Sequence, residues 1–475
     1  MTHRIRTFRE CTDDLRDKIV LVRVDHNCVR FGKVKDVHRI EATLGTLYAI
    51  VDRGARPVVM THVNRPRTSA GSIDVDEEND GVKPIVDVLR QKLGVTFAMP
   101  KFSSGENNGK GLTYGKREKE LVLALIDDLR ARRIGGVYLP NTRWFAGEEA
   151  NEDSEEYDEL TKDLASFADV FVNDAFGSWQ PHASTVGVTR FLPSYAGLCM
   201  ERELRAIAAV LEPKRPFVAI VGGAKVDTKI GTLRAVARRC DALILGGVVY
   251  NAYLCAKYGI EIEGVSEEDV ALAHELLDPE VQAKLIELPV VVESMSLQGC
   301  GCVPKEGVCS TPGEMENGVR ALRVDHLQRG ASYGYFLDVA ASSFDDVRVK
   351  RALSGAASIF VNAVMGFTSS GFHEGTTALD NAIAANNSAR KYFGGGDTIQ
   401  EFRSLTPSLY LSAVEDPTFY LFTGGGTVLK ALELGGATEL ETVKCLLLEE
   451  RERFSSVLPE CIKLEECDCA SPSVA

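Results

Sequence analysis

The sequence predicts an α/β protein with parallel sheets arranged in two lobes. Short β-branched runs alternate with helical periodicity almost throughout, the pattern of repeated βαβ units. A length of 475 residues exceeds one ordinary core. With 45% hydrophobic and 26% charged residues, the balance is that of a soluble globular chain.

In chain order, strands are predicted at Ile19–Val24, Pro57–Thr61, Gly136–Leu139, Val170–Val172, Val218–Val221, Ala242–Leu245 and Ser358–Asn362, each a short β-branched run. Helical stretches such as Glu120–Ala131 and Met200–Leu211 separate them. Segments rich in Gly, Asn, Asp and Ser at Thr68–Gly81, Ser103–Gly115 and Leu297–Gly318 read as surface insertions outside the chemistry. The change from the Ser184–Pro193 stretch to the helical pattern near Met200 marks the expected domain boundary. The first domain is then 1–195 and the second 196–444, with a Cys-rich insertion at about 297–318. No internal repeat is evident.

Charge narrows the partners. Lys and Arg number 54 against 68 Asp and Glu, a net charge of -14 that disfavours nucleic acid or an anionic membrane surface. An anionic small-molecule substrate would need a local basic cleft. The N-terminus, MTHRIRTFRECTDDLRDK, lacks the apolar core of a signal peptide, and no apolar run has the length of a membrane span, so a cytoplasmic location is expected. Twelve cysteines are scattered as in intracellular proteins. Cys300, Cys302 and Cys309 form one cluster, and Cys467 and Cys469 another. Metal or redox pairing and plain exposed loop cysteines both stay open for them, since C-x-C is not the usual zinc spacing.

Two groups of residues carry candidate chemistry. FVAIVGGAKVDTKI, Phe217 to Ile230, runs a buried strand into Gly222-Gly223 and then presents Lys225 and Lys229 at i and i+4, on one side of a predicted helix. That pair suits a polyphosphate; a βα junction with two solvated lysines is the alternative. In the amino-terminal half, polar groups recur at strand ends: Asp25 and Asn27, His62 and Arg65, Arg143, then Asn173 and Asp174. Such ends converge on one edge of a parallel sheet. With Arg39 at a helix start they form a cationic pocket containing acceptors, which fits a small hydroxylated phospho-acid.

These segments resemble phosphoglycerate kinases. LVRVDHN, HRIEATLGTL, VVMTHVNRPR, LPNTRWF, ADVFVNDAFG, HASTVGVTRFLPSYAGLCMERE, FVAIVGGAKVDTKI, GGGDT and FTGGGTVLKALE occur in family order over almost the whole chain. The resemblance implies two doubly wound, Rossmann-like domains facing each other across a hinged cleft, with a C-terminal segment from about 445 to 475 returning to the first. It implies a phosphotransferase with a carboxyl acceptor, in which 3-phosphoglycerate binds the first domain and Mg-ATP or ADP the second. The implied reaction is the direct, reversible phosphoryl transfer of glycolysis and gluconeogenesis, by a protein expected to be monomeric. No nucleophilic side chain is required, and no GxxxxGK[ST] loop is present.

Carried over by position, Asp25, Asn27, Arg39, His62, Arg65 and Arg143 match the substrate patch, with Arg39 also at the transferring phosphoryl group. Lys225 matches the lysine that follows that group and Lys229 the one on the nucleotide phosphates. Gly223 and Gly246 fall at nucleotide-side turns. Gly394-Gly395-Gly396-Asp397-Thr398 matches a phosphate-binding helix start, with Asp397 linked to Mg2+. A helix N-terminus favours anions in any case, and Thr398 with Glu401 has capping-box spacing. Gly424-Gly425-Gly426 reads equally as a second such turn or as a close strand-to-helix contact. Hinge positions are expected after Ser184 and at Gly366 and Gly371.

The chain also departs from the family pattern. The expected substrate-phosphate arginine falls on Gln180 or Pro181, within Ser178-Trp179-Gln180-Pro181-His182, and His182 is the candidate replacement. The family's WNGPMGVFE is here Val361–Ser369, with Ser369 at the ribose-binding glutamate. Val248 and Tyr250 replace small residues near the expected adenine site, either reshaping it or packing in the core. ATP versus GTP therefore stays open. So do three readings of the whole: an active phosphoglycerate kinase with a variant subsite, a related acyl-phosphate kinase with another acid or nucleotide, and a non-catalytic homologue on the same fold.

Overall fold

The strand that opens the first sheet shows why the chain folds as it does. Ile19–Val24 is buried along its whole length, with Val20, Val22 and Val24 in one apolar cluster and Ile19 and Leu21 in another. Period-2 side chains that are apolar on both faces demand cover on both faces, which is the environment of a parallel sheet between helical layers. The structure is a computed structural model describing residues 4–66, 68–69, 72–102, 111–223, 230–298 and 318–448. Lys225, Lys229, Cys300, Cys302, Cys309, Cys467 and Cys469 lie outside the described residues.

Six parallel strands form the first sheet, in the order Ser194–Ala196, Val170–Asp174, Ile19–Val24, Arg56–Met60, Gly136–Tyr138 and Phe97–Ala98. Five parallel strands form the second, in the order Ala242–Gly246, Phe217–Gly223, Ser358–Asn362, Arg390–Gly394 and Phe419–Phe422. In each sheet the chain proceeds outward on one side of its first strand and later returns on the other. That reversal opens a crevice at the carboxyl ends of the strands. In the first sheet the crevice lies between Ile19–Val24 and Val170–Asp174; in the second, between Phe217–Gly223 and Ser358–Asn362.

Helices between the strands are set by the usual local signals. His38–Asp52 buries Ile40, Thr43, Leu47 and Ile50 at helical spacing. Glu155–Ser166 starts at Ser154, whose side chain accepts from Tyr157 N at 3.2 Å, and carries three acids in its first turn. Lys83–Leu93 has proline in its first turn and ends at Gly94 with φ 68°. The predicted Glu120–Ala131 and Met200–Leu211 helices are Lys116–Arg130 and Leu198–Leu211.

Not every strand alternates in the βαβ manner. Val319–Arg323, Val290–Ser294 and Tyr335–Val339 form an antiparallel three-stranded sheet in that order, with a bulge at Val292/Glu293. The largest apolar cluster belongs mainly to the second sheet, yet it takes in Phe176, Ala196 and Met200 from the first half. Continuity also runs between the chain ends. Arg6 N donates to Leu446 O at 2.9 Å and Leu448 N to Arg4 O at 3.0 Å, an antiparallel pairing of the last described residues with the first.

Candidate active site

Two clefts meet at one helix start. The first, of about 860 Å³, is lined by Asn27, Arg39, Arg65 and Arg143 from the first half and by Gly396 and Asp397 from the second. The other, of about 670 Å³, is lined by Gly223, Gly395, Gly396, Asp397, Thr398 and Gly426 among others. Gly396 and Asp397 therefore belong to both. They open the helix Gly396–Leu405, whose N-cap is Gly395 at φ 121°, a conformation that L side chains rarely adopt. The capping box expected of Thr398 and Glu401 is not formed, because Thr398 stands inside the first turn and Gly395 makes no side-chain cap. The first-turn N–H groups are left for another acceptor.

Arg39 approaches that helix start from the first half. A Cβ placed on Gly396 would lie 3.9 Å from Arg39 Nη2. Arg39 Nη1 donates to Asp25 Oδ2 at 3.0 Å. Burial works against its charge, but the carboxylates of Asp25 and Asp36 outweigh burial and hold the guanidinium above its ordinary pKa. Asp25 is itself buried and also accepts from Asn27 N, so its contribution is to orient Arg39 and the turn.

Asn64, at φ 51°, links the polar groups of the cleft floor. Its N–H donates to Asn27 Oδ1 at 2.8 Å, its carbonyl accepts from Arg143 Nη1 at 2.6 Å, and its side chain donates to Asp80 Oδ1 at 2.9 Å. Arg143 is further held by Glu149 Oε1 at 2.7 Å. Arg65 is exposed, and with Arg143 it also lines an adjoining recess of about 400 Å³ together with Gln180 and His182. The departure from the family pattern thus lies beside the two arginines. Pro181 does not line the recess. Burial lowers the pKa of His182 against the pull of Glu148 and Glu149.

Other expected residues lie behind the cleft lining or in the core. His62 is buried and does not line the cleft: its Nδ1 accepts from Arg23 Nη2 at 3.1 Å, and burial together with the nearby arginines pushes its pKa well down. It is a neutral support. Asn173 and Asp174 are buried as well, and Asp174 Oδ1 accepts from Cys199 N at 2.8 Å and Met200 N at 3.1 Å, satisfying the start of Leu198–Leu211. Gly246 lies under Met365, 2.4 Å from Cε for an added Cβ, while its neighbours Gly247 and Val248 line the nucleotide-side cleft. Tyr250 is core, its hydroxyl donating to Leu288 O at 2.8 Å, whereas Ser369 and Gly366 do line the cleft.

The insertion around Thr68–Gly81 is not remote from the site: Asp74, Asp76, Asn79 and Asp80 line the first cleft. Among the described residues five cationic and five carboxylate side chains line it, Arg30, Lys35, Arg39, Arg65 and Arg143 against Asp36, Asp74, Asp76, Asp80 and Asp397. Gly424 makes a close backbone contact, since an added Cβ would sit 2.5 Å from Gly177 Cα, while Gly426 lines the nucleotide-side cleft. Thr427 Oγ1 donates to Phe176 O at 2.8 Å beside that contact.

The sequence reading passed over Arg23 and Asn64. Arg23 is fully buried, donates to Ser184 Oγ at 2.8 Å and lies 3.8 Å from Glu148. Its signal was a charge in the middle of IVLVRV. That of Asn64 was an asparagine before Arg-Pro, at a position needing φ above zero.

Comparison with known proteins agrees with this geometry. A family model described as phosphoglycerate kinase matches residues 11–434. The chain belongs to the phosphoglycerate kinase family. The phosphoglycerate kinase of Thermus thermophilus is 32% identical over 443 residues, covering 91% of this chain and 98% of that protein. That of Roseiflexus castenholzii is 32% identical over 437 residues, covering 90% and 96%. Among solved structures, the phosphoglycerate kinase of Pyrococcus horikoshii OT3 superposes with a TM-score of 0.71 at 22% identity, covering 93% and 98% of the two chains. The one from Coxiella burnetii gives 0.65 at 24%, covering 95% and 100%. Both carry the same fold.

Among the described residues no group of three His, Cys, Asp or Glu side chains is arranged to hold a metal ion. Asp397 alone fits Mg2+ of the kind shared with a substrate, because that ion is commonly held by one or two carboxylates plus phosphate oxygens.

Proposed function

We propose that the chain transfers a phosphoryl group reversibly between ATP and the carboxylate of 3-phosphoglycerate, giving 1,3-bisphosphoglycerate and ADP in glycolysis or gluconeogenesis. The observation that carries this reading is the sharing of Gly396 and Asp397 by two clefts, with Arg39 reaching the same point from the opposite half. A group bound there faces helix N–H donors on one side and a guanidinium on the other.

In this reading Asn27, Arg65 and Arg143 hold the acid substrate, with Asp25 and His62 supporting from behind. Gly223, Gly395, Gly396 and Thr398 surround the nucleotide phosphates, Gly246 supports the turn beneath them, and Lys225 and Lys229 supply its cations. Mg2+, held by Asp397 and the phosphates, neutralises charge on the nucleotide. Arg39 and Lys225 stabilise the moving group's oxygens, so the protein contributes position and field and no covalent intermediate. The first domain comprises 1–195 with the C-terminal segment, and the second 196–444. We take the protein as a cytoplasmic monomer with no nucleic-acid or membrane partner.

A second reading, an acyl-phosphate kinase for another small acid, is favoured by Gln180 in the subsite and by the acidic rim at Asp74 and Asp76. A coupled assay with 3-phosphoglycerate and ATP or GTP decides between them. Turnover with 3-phosphoglycerate supports the first; a folded protein inactive on it but active on another carboxylic acid supports the second.

A further inference from the structure

We infer that a second anion site, separate from both clefts, lies at the opposite end of the second sheet and takes a small aromatic phosphate. A recess of about 490 Å³ there is within the size range of small-molecule sites. Four cations, Arg202, Arg205, Lys214 and Arg390, line it against one carboxylate, Glu212. Glu201 on Arg205 and Asp416 near Arg390 offset part of that charge, and in a chain whose net charge is -14 the remaining local positive excess is a focus for anions.

The cations are exposed, and each guanidinium is only partly occupied, Arg202 also meeting Cys199. Arg202 Nη2 donates to Ala42 O at 2.6 Å and Arg390 Nη1 to Pro417 O at 2.8 Å, each from a five-donor guanidinium; Arg205 pairs with Glu201 on its own helix. Arg202 and Arg205 are three apart on Leu198–Leu211 and so share a face. Tyr392, Phe419 and Tyr420 supply aromatic walls beside them. Guanidinium forks suit phosphate oxygens, and the rings suit a planar apolar body.

Separation from the reaction site follows from the strands. Ser358 lines this recess, while Asn362, at the other end of the same strand, lines the nucleotide-side cleft, a span of about 13 Å at the usual rise per residue. A ligand here occupies neither cleft.

The test is titration calorimetry of the full chain with 1-naphthyl phosphate, after saturation with 3-phosphoglycerate and ADP. One further saturable site is expected, with inorganic phosphate binding it more weakly because it lacks the ring. Arg205→Ser combined with Arg390→Ser should weaken naphthyl phosphate by about tenfold or more, the scale of losing charge-assisted hydrogen bonds. Lys214→Gln, a milder change at an exposed side chain, provides a second variant should the double one misfold, with a weakening of about threefold. No saturable binding to the loaded protein, or equal affinity in folded variants, overturns the site. Should the proposed activity itself be wrong, naphthyl phosphate binding that depends on Arg205 and Arg390 would still be observed.

Discussion

Arg39 lines the first cleft and Gln180 the recess adjoining it, and the two have opposite consequences. Arg39 meets the shared helix start, where the proposed transfer would move charge, and its guanidinium is already held by Asp25. Arg39→Ala is therefore expected to cut kcat by about 10²–10³, the usual cost of removing one preorganised charge at a developing anion, with a smaller change in KM. Single-turnover and steady-state rates check this, and an unchanged kcat would remove Arg39 from the transferring group. Gln180 lies beside Arg65 and Arg143 without a charge of its own. Gln180→Arg should lower KM for 3-phosphoglycerate by about three- to tenfold through an added guanidinium fork. Equal KM in the variant means the recess is not where the substrate phosphate sits. At this scale the cleft-lining positions of Asn27, Arg65 and Arg143 were legible, because they come just past apolar strands whose ends open on the crevice. His62 and Asp174 were not, since their partners, Arg23 and the Leu198–Leu211 helix start, come from distant parts of the chain.

Among the elements, the loop that follows Arg65-Pro66 matters most for how strongly anions bind. Asp74 is exposed on the cleft wall and forms no hydrogen bond among the described residues, whereas Asp76 and Asp80 are occupied with Glu78, Asn79 and Asn64. Asp74→Asn should lower KM for 3-phosphoglycerate by about two- to threefold and make it more sensitive to salt, because removing one carboxylate tips the balanced lining toward its cations. KM measured from low to high ionic strength tests this; the same salt slope as the parent would show that the loop does not influence the ligand. The glycine turn before Gly425–Leu434 gives another expectation. Gly424→Ala forces a Cβ to 2.5 Å from Gly177 Cα, so a loss of about 1–3 kcal/mol in stability or a parted contact is expected. A thermal melt with an activity assay checks it, and an unaltered Tm with full activity would refute it. Strands buried on both faces were legible as continuous apolar runs. Arg390–Gly394 and Phe419–Phe422 were missed because the first begins with two cations, one of them the fully buried Lys391, and the second is a four-residue aromatic run. The acidic loop read as a remote insertion because composition reports exposure but not which cleft a surface segment overhangs.

Over the whole molecule, four buried carboxyls set the response to pH. Burial raises Asp174 to about 6, Glu203 to about 8, and Asp338 and Asp380 to about 7, from ordinary values near 4. A carboxyl raised in the folded state favours folding fully below its unfolded pKa, and that contribution is lost as pH climbs through the folded value. The buried histidines His26, His62 and His182, lowered from 6.5, oppose this at lower pH, so stability should fall between about pH 6.5 and 8, and Asp380→Asn, which keeps an acceptor for Thr406 Oγ1, should flatten the decline. Melting curves across that range test it, and a Tm that rises toward pH 8 contradicts it. The two-lobed architecture was legible from length and alternation, but the apolar continuity through Phe176, Ala196 and Met200 was not, because it arises from contact between halves. The Gly177–Gly424 approach is part of that same junction. Neither residue carries a side chain, so the contact has no knob to withdraw from a socket and little dispersion to give up. It can behave as a smooth bearing: the glycine contact itself adds little grip, and resistance to separation falls on the apolar packing around Phe176 and on hydrogen bonds such as Thr427 to Phe176.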